Sequence, residues 1–280
     1  MILSDLLKYG KNALKQAGCG NASFDAMCLL EKVTELNKTQ LFIYDSKEVS
    51  IDKEQAYKIL IERRCNREPL QYIIGKWAFM GLDFHVGPGC LIPRCETEGL
   101  VEAAVKHIKD RTETVVLDLC AGTGCIGISI ANACPSATVF MIEKSDHAFN
   151  YLIRNLNERR LNNAFALRGD IFDGFFSFDL PVPDVIVSNP PYIPTDEIET
   201  LQEEVLYEPA DALDGGVDGL DFYKTIFNLW LPYLDKDGML AVECGDNQAE
   251  LVSNLFSKPV KEKYCMLDNN RIKRIVVVKT

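Results

Sequence analysis

Asn189-Pro190-Pro191-Tyr192 follows the apolar run Val185-Ile186-Val187-Ser188, which predicts a short buried strand ending in a stiff loop. A residue before a proline is held extended, and each proline fixes its own φ and lacks an N–H. Such a loop can hold an amide or amino NH2 group still. The Asn189 side-chain oxygen and the Pro190 carbonyl can each accept one of that group's two N–H bonds. Tyr192 can stack on the flat group. The nitrogen is then free to aim its lone pair at an electrophile. Alone, the tetrapeptide reads equally as a turn that ends a strand, so its meaning depends on a second motif.

That motif is Val116-Leu117-Asp118-Leu119-Cys120-Ala121-Gly122-Thr123-Gly124-Cys125-Ile126-Gly127, a strand, a glycine-rich turn and a helix start. Gly122 and Gly124 let backbone approach a ligand, and Gly127 lets the helix pack on the strand. The next strand ends at Glu143, whose carboxylate can accept both ribose hydroxyls of an adenosine. Asp118 lies four residues before Gly122 and would repel a dinucleotide pyrophosphate. A sulfonium cofactor that carries an α-ammonium has the opposite need, so Asp118 favours S-adenosyl-L-methionine over NAD. Asp170 and Ile171, after the third strand, can meet the adenine amine and ring, although Asp170 alone reads equally as an Asx-turn.

These residues need a scaffold. From Thr114 onward, strands at Val115–Leu119, Ala137–Glu143, Phe165–Arg168, Asp184–Ser188 and Met239–Glu243 alternate with helices after Gly124, Asp146, Gly219 and Asp246. That order predicts an α/β fold with a mostly parallel sheet covered on both faces. Lys263–Leu267 and Ile272–Val278 predict an antiparallel pair at its edge. Residues 1 to about 70 read as a small helical bundle. Trp77, Phe79, Leu82, Phe84 and Val86 alternate around Met80-Gly81 as a β-hairpin, and a helix is expected over Glu96–Ile108. The expected division is a helical domain over 1–72, a hairpin linker over 73–92 and a cofactor-binding domain over 93–280.

Composition narrows the partners. The 280 residues are 47% hydrophobic, and 30 basic against 41 acidic residues leave a net charge of −11. That balance disfavours a sequence-independent grip on nucleic acid and accommodates a basic partner protein. Ten cysteines without C-x-x-C spacing read as small buried residues in a reducing cytoplasm, and three scattered histidines give no metal-ligand pattern. No apolar run approaches the roughly 18 residues that span a bilayer, and no membrane association is expected.

Taken together, the chain resembles class I S-adenosylmethionine methyltransferases, and within them the HemK/PrmC family of peptide chain release factor glutamine-N5 methyltransferases. The resemblance rests also on Arg67-Glu68-Pro69-Leu70-Gln71-Tyr72-Ile73-Ile74-Gly75, on Leu91-Ile92-Pro93-Arg94-Cys95-Glu96-Thr97-Glu98, and on Glu208-Pro209 followed by Ala212-Leu213-Asp214-Gly215-Gly216 and Asp218-Gly219-Leu220. It covers nearly the whole chain.

The resemblance implies a Rossmann-like sheet behind an N-terminal helical docking domain. It implies cofactor contacts from Cys120, Ala121, Gly122, Thr123, Gly124, Glu143, Asp170, Ile171 and Asn189, and glutamine contacts from Asn189, Pro190, Pro191 and Tyr192. The substrate would be the glutamine of a release factor's Gly-Gly-Gln loop, with S-adenosyl-L-homocysteine as product. Asn189, Pro190 and Tyr192 would be catalytic, and a monomer is expected. An adenine-N6 or cytosine-N4 methyltransferase of DNA or RNA is the alternative, since it would use the same loop on a flipped base. The chain departs from the family pattern at Glu143, where Asp is commoner, at Cys95, where Pro is usual, and at Cys244, where Ile is frequent.

Overall fold

The computed structural model describes residues 1–256 and 260–280. The chain divides into two compact units: Met1–Lys76 with Gln202–Tyr207, and Trp77–Leu201 with Glu208–Thr280.

The first unit is helical: α1 (Leu3–Gln16), α2 (Ala22–Thr34), α3 (Lys38–Ile43), α4 (Ile51–Cys65) and α5 (Leu70–Ile74). Leu3, Leu6, Gly10 and Leu14 fall three or four apart and form the buried stripe of α1. Gly10 is needed there, because a Cβ would lie 2.0 Å from the Tyr57 hydroxyl oxygen of α4. Tyr57 is fully buried and donates to the Ala26 carbonyl of α2 at 3.1 Å, so three helices meet at one phenol. Asn37 and Gln40 cap α3 reciprocally, and the Ser50 side chain starts α4. The inclusion of Gln202–Tyr207 has an electrostatic basis. Buried Arg64 donates to Asp25 at 2.8 Å and to Glu204 at 3.0 Å, while Arg67 donates to Glu203 at 3.0 Å.

The second unit opens with the hairpin β1 (Lys76–Phe79) and β2 (Leu82–His85), turned by Met80 and Gly81 at positive φ. Its Phe79 and Phe84 are buried in the main core with Leu100 and Val101, and the second unit runs from Trp77 onward. Then follow α6 (Glu98–Ile108), β3 (Val115–Leu119), α7 (Cys125–Ala133), β4 (Thr138–Glu143), α8 (Asp146–Arg159), β5 (Ala164–Arg168), β6 (Val185–Ser188), α9 (Asp221–Leu229), β7 (Met239–Glu243), α10 (Ala249–Asn254), β8 (Glu262–Leu267) and β9 (Lys273–Lys279).

Seven strands form one sheet in the order β5-β4-β3-β6-β7-β9-β8. The first five are parallel, and β9 and β8 are added antiparallel at the edge. Both faces are covered, and strand alternation assigns residues to each. Val116, Val185, Val187, Met239 and Ala241 enter one core, whereas Leu117, Leu119, Ile186, Leu240 and Val242 enter the other. From β3 the chain proceeds outward through β4 and β5, and from β6 it proceeds the opposite way through β7. Leu119 and Ser188 are register partners at the carboxyl ends of β3 and β6. This is the topological switch point, where open α/β sheets place their ligands.

Candidate active site

The glycine turn and the Asn-Pro-Pro-Tyr loop both leave the sheet at that switch point. Cys120 follows Leu119 and Asn189 follows Ser188, and the Ser188 hydroxyl ties the two strand ends by donating to the Leu119 carbonyl at 2.6 Å. Cys120 has φ +60°, an uncommon conformation for a residue with a side chain, and Gly122 and Gly124 follow at +57° and +79°. Three positive φ values within five residues fold the turn back over β4. Ala121 N–H donates to the Ile142 carbonyl at 3.0 Å, and Gly122 N–H donates to Glu143 Oε2 at 2.7 Å. A Cβ on Gly122 would meet no atom within 4 Å, so the turn presents open backbone to the space in front of it.

That space is a cavity of about 730 Å³ in the second unit, lined by Cys120, Ala121, Gly122, Thr123, Glu143, Asp170, Ile171, Asn189 and Pro191 among others. Its volume falls within the range of small-molecule sites. The carboxylates of Glu143, Asp146, Asp170, Asp211, Asp214 and Asp221 line it against three cations, Arg94, Lys144 and Arg168. Each cation already has a carboxylate partner: Arg94 pairs with Glu208, Lys144 with Asp170 at 2.8 Å, and Arg168 with Asp146. The excess of negative charge favours a cationic ligand.

Glu143 accepts from two backbone N–H groups, Gly122 and Ser145, the latter at 2.6 Å. Burial raises its pKa, and these N–H bonds and Arg168 oppose the rise. Asp170 adopts the Asx-turn, accepting from Phe172 N–H at 3.0 Å, and still lines the cavity beside Ile171.

Asn189 is the most informative side chain. Its Nδ2 donates to Thr97 Oγ1 at 3.2 Å, and its Oδ1 is buried with no hydrogen-bond partner. A buried amide oxygen without a donor is costly unless a ligand supplies one. The loop beyond is rigidly held. Ile193 bridges in parallel to Asp214, with Ile193 N–H on the Leu213 carbonyl at 2.9 Å and Gly215 N–H on the Ile193 carbonyl at 2.8 Å. The Tyr192 carbonyl accepts from Gln248 Nε2 at 2.8 Å.

The structure does not bring every expected residue to the cavity. Asp118 is fully buried and is not part of the wall. Its Oδ2 accepts from Gly127 N–H at 2.8 Å and so holds the first turn of α7. Its Oδ1 is buried with no hydrogen-bond partner. Its alternation on β3 turns the side chain under the turn, and burial pushes its carboxyl up to about 8. Gly124, Pro190 and Tyr192 are likewise not among the residues that line it. Burial raises the Tyr192 phenol far above its ordinary range.

Arg94 and Glu98, quoted above only within the segment Leu91–Glu98, serve different ends. Arg94 lines the cavity, and its partner Glu208 is buried and also accepts from Ile92 N–H at 2.9 Å. Glu98 instead accepts from Met80 N–H at 2.7 Å and braces the hairpin turn. Thr97, Pro209, Ala212, Asp214 and Gly216 were quoted only as part of the resemblance, and Asp211, Asp221 and Phe222 not at all, yet all supply cavity wall.

The second unit's architecture recurs in solved structures. A methyltransferase from Pyrococcus furiosus matches with a TM-score of 0.51 at 17% identity, over 80% of this chain and 97% of that one. The hMettl16 catalytic domain matches with a TM-score of 0.57 at 15% identity, over 71% of this chain and 76% of that one. These likenesses show a Rossmann-like α/β fold.

Family models refine this: residues 5–75 match the PrmC N-terminal domain and residues 101–217 the methyltransferase small domain. The release factor glutamine methyltransferase of Geobacter sulfurreducens is 40% identical over 275 residues, 97% of this chain and 94% of that protein. That of Clostridium botulinum is 38% identical over 96% and 95%. The ribosomal protein uL3 glutamine methyltransferase of Francisella tularensis is 34% identical over 72% and 64%. The chain belongs to the release factor glutamine methyltransferase family.

Proposed function

We propose that this chain transfers a methyl group from S-adenosyl-L-methionine to the side-chain amide nitrogen of the glutamine in the Gly-Gly-Gln loop of a peptide chain release factor. The observation that carries the reading is the buried, unpartnered Oδ1 of Asn189 on the wall of an acidic cavity that begins at the glycine turn. When bound, the cofactor supplies a methyl group on a positively charged sulfur.

The residues present fit that group. The open backbone at Gly122 admits a close ligand, Glu143 stands where a ribose would reach it, and the carboxylate-rich wall suits a cation. Asp170 and Ile171 flank the region for the base. Asn189 Oδ1 accepts one amide N–H bond of the glutamine, while Pro191 closes the wall beside it. The contribution of these residues is positioning: a held amide presents its nitrogen lone pair in line with the methyl carbon at near-attack distance. The excess of acidic residues accommodates a basic face on the release factor, the helical unit serves to dock it, and the reaction takes place in the cytoplasm.

The test is tandem mass spectrometry of a release factor incubated with this chain and isotope-labelled S-adenosyl-L-methionine. One methyl on the Gly-Gly-Gln glutamine supports the proposal. Label on a ribosomal-protein glutamine keeps the amide chemistry and overturns the partner. Label on a DNA or RNA base, the alternative that the family relatives do not favour, overturns both.

A further inference from the structure

We propose that Asn155 is a positioning residue for cofactor capture, locking the glycine turn at Thr123 to the end of the hairpin at His85. The proposal rests on the reading of the cavity as the place of S-adenosyl-L-methionine. Asn155 lies on α8, is 2% exposed and is not part of the cavity wall. Its Oδ1 accepts from His85 N–H at 2.7 Å. Its Nδ2 donates to the His85 carbonyl at 3.2 Å and to the Thr123 carbonyl at 3.0 Å. Both N–H groups and the oxygen of the amide are thus engaged, as burial requires. Only one orientation allows this. A flipped amide would set NH2 against the His85 N–H and its oxygen against two carbonyls.

The two ends that Asn155 joins are opposite parts of one cavity. Thr123 lines it and lies just before Gly124, the residue that precedes α7. There Asp118 holds the Gly127 N–H and Asn155 holds the Thr123 carbonyl, so side chains from β3 and α8 brace the turn where it enters the helix. The hairpin side rests on one face of α8. His147, Tyr151, Asn155 and Glu158 are spaced four, four and three residues apart. A Cβ on Gly89 would lie 2.6 Å from His147 Cβ, and one on Gly87 would lie 2.2 Å from the Tyr151 hydroxyl oxygen. His85 Nε2 stands 2.7 Å from Glu158 Oε2. The chain from His85 to Gly89 therefore runs along α8 and arrives at the cavity, where Gly89, Cys90 and Leu91 are wall. Within this stripe Asn155 also reaches the glycine turn, and through it the turn and the hairpin keep one spacing. A site is only as precise as the residues that support its wall.

The experiment measures S-adenosyl-L-methionine affinity by calorimetry and kcat for release-factor methylation at saturating cofactor. Asn155→Ala removes all three bonds. Asn155→Asp keeps the size and removes both donors. Each should weaken cofactor binding about tenfold, the scale of one or two lost hydrogen bonds, with kcat at saturation within a few-fold of the parent. Unchanged affinity, or a loss confined to kcat, would overturn the proposal. Glu158→Gln separates positioning from general loosening of the hairpin, since it alters the contact to the His85 ring and leaves Asn155 in place. Affinity within about threefold of the parent is expected, and a loss as large as that of Asn155→Ala would overturn the lock. Hydrogen exchange on the parent chain needs no variant. Saturating S-adenosyl-L-methionine should slow exchange of the His85 amide, which is outside the cavity wall and bonded to Asn155. An unaltered rate contradicts the coupling. A parent chain that gives no binding heat with S-adenosyl-L-methionine would instead bring down the underlying reading of the cavity, which separates the two failures.

Discussion

Gly122 N–H donates to Glu143 Oε2 at 2.7 Å, so the carboxylate at the end of β4 holds the glycine turn at the end of β3. One side chain therefore shapes the turn and stands ready for a ribose. Glu143→Ala should weaken S-adenosyl-L-methionine binding by about ten- to a hundredfold, the size expected for loss of hydrogen bonds to a charged group. Calorimetry checks this, and an unchanged affinity would remove Glu143 from the site.

Asp118 makes a prediction of the opposite kind. It lies outside the cavity, so Asp118→Asn should leave cofactor affinity nearly unchanged. Its effect should appear in stability. Burial raises the carboxyl from 3.8 to about 8 in the folded chain. Between those values the folded state holds a proton that the unfolded state has released, so this group's contribution falls as pH rises, by at most about 1.4 kcal/mol per pH unit. Urea unfolding between pH 5 and pH 9 should show a slope that Asp118→Asn removes.

Much of this was legible in the residues and some was not. The parallel strands were readable because both of their faces are buried and they form unbroken apolar runs, such as Val185-Ile186-Val187. Their ends moved by about one residue, as with β4, expected from Ala137 and found from Thr138. The switch point followed from strand order, which motif spacing alone does not give. The place of Asp118 was hidden because sequence shows that a carboxylate precedes a glycine turn but not which face of β3 it occupies. Thr97 was passed over because its partner, Asn189, lies 92 residues away. The excursion of Gln202–Tyr207 into the helical unit depends on Arg64 and Glu204, 140 residues apart. No local pattern announces such pairs.

Gly219 tests the rigidity of the loop. Its φ is +69°, and a Cβ would lie 2.4 Å from the Tyr192 carbonyl oxygen, which Gln248 already holds. Gly219→Ala should push back the chain beside Asn189 and lower kcat for methylation at least tenfold, with cofactor affinity retained. It should also destabilise the fold by roughly 1–2 kcal/mol for the left-handed backbone alone. Steady-state kinetics with thermal unfolding measures both effects.

Glu243 predicts a pH-dependent stability. Burial raises its carboxyl to about 7, with Thr97, Arg274 and Arg94 opposing the rise and Glu96 adding to it. The raised carboxyl contributes most below about 4.5 and loses its contribution as pH climbs through about 7, and Glu243→Gln should remove that dependence from urea unfolding.

The most direct test of the amide clamp compares two measurements on Asn189→Ala. Single-turnover transfer to the release-factor glutamine should fall by at least about a hundredfold, while calorimetric affinity for S-adenosyl-L-methionine stays within a few-fold of the parent. Transfer at the parental rate in the mutant would contradict the account.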